Sequence, residues 1–171
     1  MPEAGSANDR AMRDVVKWVT VAMLLVLLDQ VTKYLAVKLI NPDATLTLLP
    51  FLSLVLTYNT GAAFSFLAGG SGWQRWFFAL IAVGASVLIV WMLYRHRRET
   101  FLCIGLTLIL GGAIGNLIDR LTLGAVVDFI LLYWRQYQWP AFNVADSCIS
   151  IGAVMLLWDG FFRSRSRAWE H

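Results

Sequence analysis

Charge and histidine are scarce in this chain, and each shortage removes a class of protein. Asp, Glu, Lys and Arg make up 15% of the 171 residues and hydrophobic residues 58%, with a mean hydropathy of +0.64. That is too apolar for a water-soluble domain of this size, and is the composition of a membrane protein. The two histidines, His96 and His171, both fall where the charge pattern described below puts the cytoplasm. A Ser/His/Asp or Cys/His arrangement and an HExxH zinc site are therefore excluded at the opposite face. The two cysteines, Cys103 and Cys148, lie near opposite faces in the same topology, so no internal disulfide is expected. A net charge of +3 is weak evidence for a nucleic-acid partner. The basic residues stand in short clusters beside apolar runs, where they act as topology signals.

Four stretches are long and apolar enough to cross a ~30 Å hydrocarbon layer. Residues 1–14 are polar and read as a short flexible tail. Residues 15–39 form the first span; no small-x-small cleavage site follows, so it is a retained helix and not a signal peptide. Residues 40–72 differ in kind. Asn41-Pro42-Asp43 breaks the helix, and the β-branched and aromatic residues of 45–49 and 51–58 predict two or three strands outside the membrane core. Residues 73–94 form the second span, with Trp73, Trp76, Trp91 and Tyr94 near its ends as interfacial anchors. A basic loop at 95–100, a third span at 101–120, an outer loop at 121–143, a fourth span at 144–162 and a basic tail at 163–171 complete the chain. In the outer loop, 124–130 reads as a strand, and Tyr133, Trp134, Tyr137 and Trp139 suit the headgroup layer. The fold expected is an α-helical membrane domain of four transmembrane helices with a small extramembrane sheet.

Lys and Arg cluster before span one, between spans two and three, and after span four, whereas residues 41–72 contain neither. By the positive-inside rule both termini face the cytoplasm. Helix rise then sets depth. Asp146 lies 17 residues before Arg163, roughly 25 Å from the cytoplasmic boundary; Asn116 and Asp29 come out at roughly 27 and 18 Å. The polar residues of spans one, three and four thus gather in the outer half of the bilayer.

Each polar group has a plain structural reading beside a functional one. Asp29 and Lys33 are spaced i, i+4 and can neutralise each other. Gly111, Gly115 and Asp119 form one helical stripe, with Gly112, Asn116 and Arg120 beside it; small residues so spaced let helices approach closely. Asn116 and Arg120 facing a bundle need partners. Asp159, one turn before Arg163, reads as an interfacial ion pair. Asp128 could be a solvated turn residue and Asp146 an N-terminal helix cap; pattern alone leaves these open against a catalytic role. For hydrolysis, though, the inventory narrows. Cys148 has no base nearby, and a Ser/Lys dyad would have to use Lys33, which already has Asp29. Two carboxylates remain, and such a pair works because close like charges cannot both ionise: one polarises a carbonyl while the other takes a proton from water. Two other classes stay open at this point. One is a small ion-coupled transporter or channel subunit in which Asp29, Asp119 and Asp146 relay protons; the other is a non-catalytic scaffold assembled through the glycine stripes.

Five segments, in order, resemble the motif set of bacterial lipoprotein signal peptidase (signal peptidase II, prolipoprotein signal peptidase): DQVTK from Asp29, NTGAAF from Asn59, GGAIGNLIDR from Gly111, VVDF from Val126 and FNVADS from Phe142. The resemblance implies an inner-membrane aspartic endopeptidase that removes the signal peptide from prolipoproteins, cutting before a cysteine already carrying diacylglyceryl. It implies Asp128 and Asp146 as the catalytic pair. Asn59, Asn116, Arg120 and Asn143 match polar positions lining the site; Asp29 with Lys33, along with Asp119 and Gly112, matches supporting positions. The implied partners are the lipidated precursor, membrane lipids and the inhibitor globomycin, with no nucleic acid, cofactor or metal. The implied fold is four helices, a small periplasmic sheet and a short periplasmic helix, for which residues 64–72 are available, with the active site near the periplasmic face.

Overall fold

A computed structural model describes the backbone of residues 4–61 and 72–168, and the side chains of 8–61 and 72–162. Four helices, α1 (Ala4–Leu39), α2 (Trp73–Arg95), α3 (Thr100–Thr122) and α4 (Val144–Ala168), carry a sheet of four strands: β1 (Leu46–Leu49), β2 (Leu52–Asn59), β3 (Val126–Trp134) and β4 (Tyr137–Gln138). Each helix has a stretch long and apolar enough to cross a membrane. The expected short helix at 64–72 lies outside the described residues except for Gly72, which precedes α2 in the left-handed region at φ 83°.

α3 is the central helix. In its most apolar 18-residue stretch 56% of residues are buried, against 22% in α1 and 17% in α2 and α4. The other three turn leucine, valine and tryptophan outward, including Leu28, Leu80, Val87 and Leu157, as lipid-facing helices do. The two small-residue stripes of α3 serve different neighbours. A Cβ on Gly111 would lie 2.8 Å from Leu25 Cβ of α1, and one on Gly115 would lie 2.6 Å from Asp29 Oδ2. A Cβ on Gly112 would collide with the Ala145 carbonyl oxygen of α4. Glycine therefore brings both neighbouring backbones close to α3 at the level where its polar residues begin.

The helix α1 starts at Ala4, so the expected flexible tail at 1–14 is corrected: residues 4–14 are helical. Alanine at 4, 7 and 11 favours helix, and Ala11 and Val15, one turn apart, are both buried, which anchors the extension.

The sheet is antiparallel in the order β1-β2-β3-β4. β3 runs beyond the expected 124–130, and the Tyr133–Trp134 and Tyr137–Gln138 pairs form a hairpin with Trp134, Tyr137 and Trp139 exposed. Its inner end docks on the helices: Leu56, Val127 and Phe129 pack with Ala36 of α1 and with Ile40 just past its end, and Val144 lies against them. Pairing of β2 with β3 slips between Leu54 and Thr57. Leu54 opposes Ile130 and Thr57 opposes Asp128, so β2 spends one residue more than β3. Such a bulge twists a strand and re-aims a side chain.

Candidate active site

Period-two alternation in β3 decides where Asp128 points. Its neighbours Val127 and Phe129 belong to the apolar cluster against α1, which turns Asp128 the other way, and it is only 2% exposed. There its Oδ2 accepts a hydrogen bond from Asn59 Nδ2 at 3.1 Å and its Oδ1 one from Asn143 Nδ2 at 2.7 Å. Its main-chain carbonyl accepts from Thr57 Oγ1 at 3.1 Å.

Asp146 is set by the first turn of α4. Capping falls to Asn143, whose Oδ1 accepts from Asp146 N at 2.9 Å. The Asp146 carboxylate, released from capping, sits in the favourable field of the helix N-terminus and accepts from Asn116 Nδ2 at 2.7 Å. Asn143 Nδ2 also reaches Asn116 Oδ1 at 3.3 Å and the Val127 carbonyl at 3.2 Å. The two aspartates are thus joined through two side-chain amides, Asp128 to Asn143 to Asn116 to Asp146.

Beneath them lies a buried ion cluster. Lys33 Nζ is 2.7 Å from Asp29 Oδ2 and 2.9 Å from Asp119 Oδ2, and donates to Asn116 Oδ1 at 3.0 Å. Gln30 Nε2 donates to Asp119 Oδ1 at 2.8 Å and to the Gly115 carbonyl at 3.2 Å.

Burial in apolar surroundings pushes the Asp128 carboxyl up to about 6, and the nearby Asp146 charge pushes the same way; the Asn59 and Asn143 hydrogen bonds and Lys33 oppose the rise. A carboxyl titrating there can hold or release a proton near neutral pH. Asp146 is half-buried and opens onto a groove of about 620 Å³ that Asn59, Phe142, Ser147 and Ile151 also line. Among the described residues no group of three His, Cys, Asp or Glu side chains is placed to hold a metal ion.

Eight of the residues singled out from sequence meet in this one network: Asp128, Asp146, Asn59, Asn116, Asn143, Asp29, Lys33 and Asp119. Two lie outside its side-chain hydrogen bonds. Gly112 contributes the close approach of α4 to α3. Arg120 stacks over the Phe78 ring at 5.2 Å and donates to the Asn116 carbonyl at 3.3 Å, with its guanidinium in the field of Asp146, Asp119 and Asp128. Gln30 and Thr57 carried no role in the sequence reading. Gln30 was visible as a polar residue in an apolar run, and Thr57 shares a strand face with Asn59, two residues on.

The sequence pattern of the family described as Signal peptidase (SPase) II matches residues 21–162. A lipoprotein signal peptidase of Pseudomonas syringae pv. tomato is 51% identical over 164 residues, covering 94% of each chain. One of Polynucleobacter necessarius is 48% identical over 144 residues, covering 84% of this chain and 88% of its own. Among solved structures, a bacterial membrane enzyme determined by the in meso method superposes with a TM-score of 0.77 at 30% identity, over 86% of this chain and 89% of that one. A match running from the first span through the fourth, on a shared fold and with half-identical relatives along nearly the whole length, means that this chain belongs to the signal peptidase II family.

Proposed function

We propose that Asp128 and Asp146 are the catalytic pair of a lipoprotein signal peptidase, which removes the signal peptide from diacylglyceryl-modified prolipoproteins just before the lipidated cysteine. The observation that carries this reading is the amide-linked aspartate pair, with one carboxyl raised to about 6 by burial and by its neighbour. Two such carboxyls share one proton. The buried Asp128 holds it, and Asp146, facing the groove, serves as the base. Asp146 takes a proton from a water lying between them as that water's oxygen attacks the scissile carbonyl carbon. Asp128 gives its proton to the carbonyl oxygen. The resulting diol collapses as its proton returns to Asp128, the C–N bond breaks, and the leaving amine takes the proton held by Asp146. No covalent enzyme intermediate forms.

Both termini face the cytoplasm and the pair lies near the periplasmic face of the inner membrane, a topology supported by the basic clusters and by a 41–72 segment free of Lys and Arg. The two acyl chains of the substrate then hold its cleavage site at the level of Asp146. Binding draws on acyl burial, on the order of ~0.8 kcal/mol per methylene, and globomycin competes for the same groove.

The test is cleavage in detergent micelles of matched diacylglyceryl-modified and unmodified precursors by wild type, Asp128→Asn and Asp146→Asn. The lipidated precursor is cut by wild type alone, globomycin blocks the cut, and the unmodified precursor is cut poorly. Equal turnover of both precursors, or an active Asp→Asn variant, would overturn the reading.

A further inference from the structure

The residue before each aspartate of the pair has its main-chain N–H held by a carboxylate from a different element. Val127 N donates to Asp119 Oδ2 of α3 at 3.0 Å, and Ala145 N donates to Asp29 Oδ1 of α1 at 2.9 Å. Both carboxylates meet on one cation, Lys33, at 2.9 and 2.7 Å. An ammonium has three N–H donors and no acceptor. The third goes to Asn116 Oδ1 at 3.0 Å. Since only an amide oxygen can face an ammonium, this contact also decides that Asn116 turns its Nδ2 to Asp146.

Neutralisation alone does not explain the arrangement. One aspartate would balance Lys33, and a second buried carboxylate adds a desolvation cost unless it does something further. Each carboxylate holds a different segment: Asp119 the strand that carries Asp128, Asp29 the helix that carries Asp146. We propose that Lys33 is a positioning residue that spaces the aspartate pair, a single ammonium fixing β3, the first turn of α4 and the Asn116 amide against one another. The role rests on the peptidase reading only for its effect on rate; the clamp itself is a property of the fold.

Lys33→Met tests it, with hydrogen exchange at the Val127 and Ala145 amides and steady-state cleavage of the lipidated precursor measured on the same detergent-solubilised full chain. The clamp requires both amides to lose protection by about tenfold or more, while Leu106 and Leu110 in mid α3 keep theirs. It also requires kcat to fall by about 100-fold, the scale of a misplacement near 1 Å, with KM within about threefold of wild type. A merely structural role lowers the folded fraction and leaves the kcat of the folded enzyme, and the exchange at these two amides relative to mid α3, unchanged. Should Lys33→Met lose the mid-α3 protection as well, the neutral triple variant Asp29→Asn, Lys33→Met, Asp119→Asn buries no unpaired charge, and its kcat must fall by the same order. Unchanged exchange at either amide, or a kcat within about threefold of wild type in the folded variant, overturns the clamp. Wild type that leaves the lipidated precursor uncut overturns the peptidase reading instead, and the exchange data then decide the clamp alone.

Discussion

Asp29 and Asp119 are held by an ammonium, whereas Asp128 and Asp146 are held by amides. Burial does not separate the two sets: Asp29, Asp119 and Asp128 are 1%, 3% and 2% exposed. The partner does. One ammonium at 2.7–2.9 Å from both carboxylates offsets one of their two charges and ties both to structure. An amide stabilises the ionised form through one hydrogen bond but brings no net charge, so the carboxyl it holds can still exchange a proton. In an apolar chain every aspartate is conspicuous, and what distinguishes frame from chemistry is the kind of donor each one meets.

The sharpest way to break that contrast is to neutralise one aspartate from each set. Asp128→Asn and Asp146→Asn should each lower kcat by about 10³-fold while the thermal midpoint in detergent does not fall below that of wild type. Asp119→Ala should differ by lowering stability, its loss of kcat coming only through the loosened hold on β3. Lys33 keeps Asp29, but the buried Val127 N–H loses its acceptor, so unfolding becomes easier by about 1–3 kcal/mol. Thermal melts read beside single-turnover cleavage separate the two outcomes. An unfolded Asp128→Asn, or an Asp119→Ala variant as stable as wild type, would erase the distinction.

A smaller effect follows from pH. The Asp128 carboxyl is raised to about 6 from an ordinary 3.8, so between those values the folded protein binds more protons than the unfolded chain. Stability contributed by this group is therefore greatest below about pH 4 and falls as pH rises through about 6. The cost fully expressed above that is about 3 kcal/mol. The expected observation is that the wild-type melting temperature declines more steeply than that of Asp128→Asn between pH 4 and 6.5, the two running parallel above it. Parallel curves throughout would mean that Asp128 carries no such penalty.

Much of this was legible in the sequence because acids and amides stand out against an apolar background. Four long apolar runs gave the helices, the breaker at Asn41-Pro42-Asp43 gave the change to strands, and the aspartates were visible as charges without water. What was not legible depends on partners far apart in the chain. The bulge between Leu54 and Thr57 is a fact of register, and register shows only when two strands are laid together. The same holds for Gln30, whose acceptor Asp119 is 89 residues away. Asp146 looked like a cap because a carboxylate at a helix start suits the dipole; Asn143 takes that role with its Oδ1. The helical start at Ala4 was hidden by charged residues that read as a solvated tail.

The smallest expected effect probes the amide-held set alone. Asn59 comes from β2, and its Nδ2 hydrogen bond to Asp128 Oδ2 at 3.1 Å is one of two amide contacts that favour the ionised carboxylate. Asn59→Ala removes it and leaves Asn143 Nδ2, at 2.7 Å, as the remaining donor. With less to offset burial and the Asp146 charge, the Asp128 carboxyl rises further. A hydrogen bond to a charged group contributes about 1.5 kcal/mol at the lower end, which corresponds to a shift of about one pH unit. The limb of the kcat/KM profile that follows Asp128 should therefore move to higher pH by about that much, with the opposite limb in place and the melting temperature little changed. The ammonium-held set gives the control. Gln30→Ala removes a comparable hydrogen bond, from Nε2 to Asp119 Oδ1 at 2.8 Å, but Asp119 stays committed to Lys33, so the profile should keep its position. A shift as large in Gln30→Ala as in Asn59→Ala would show that donor type does not divide these aspartates.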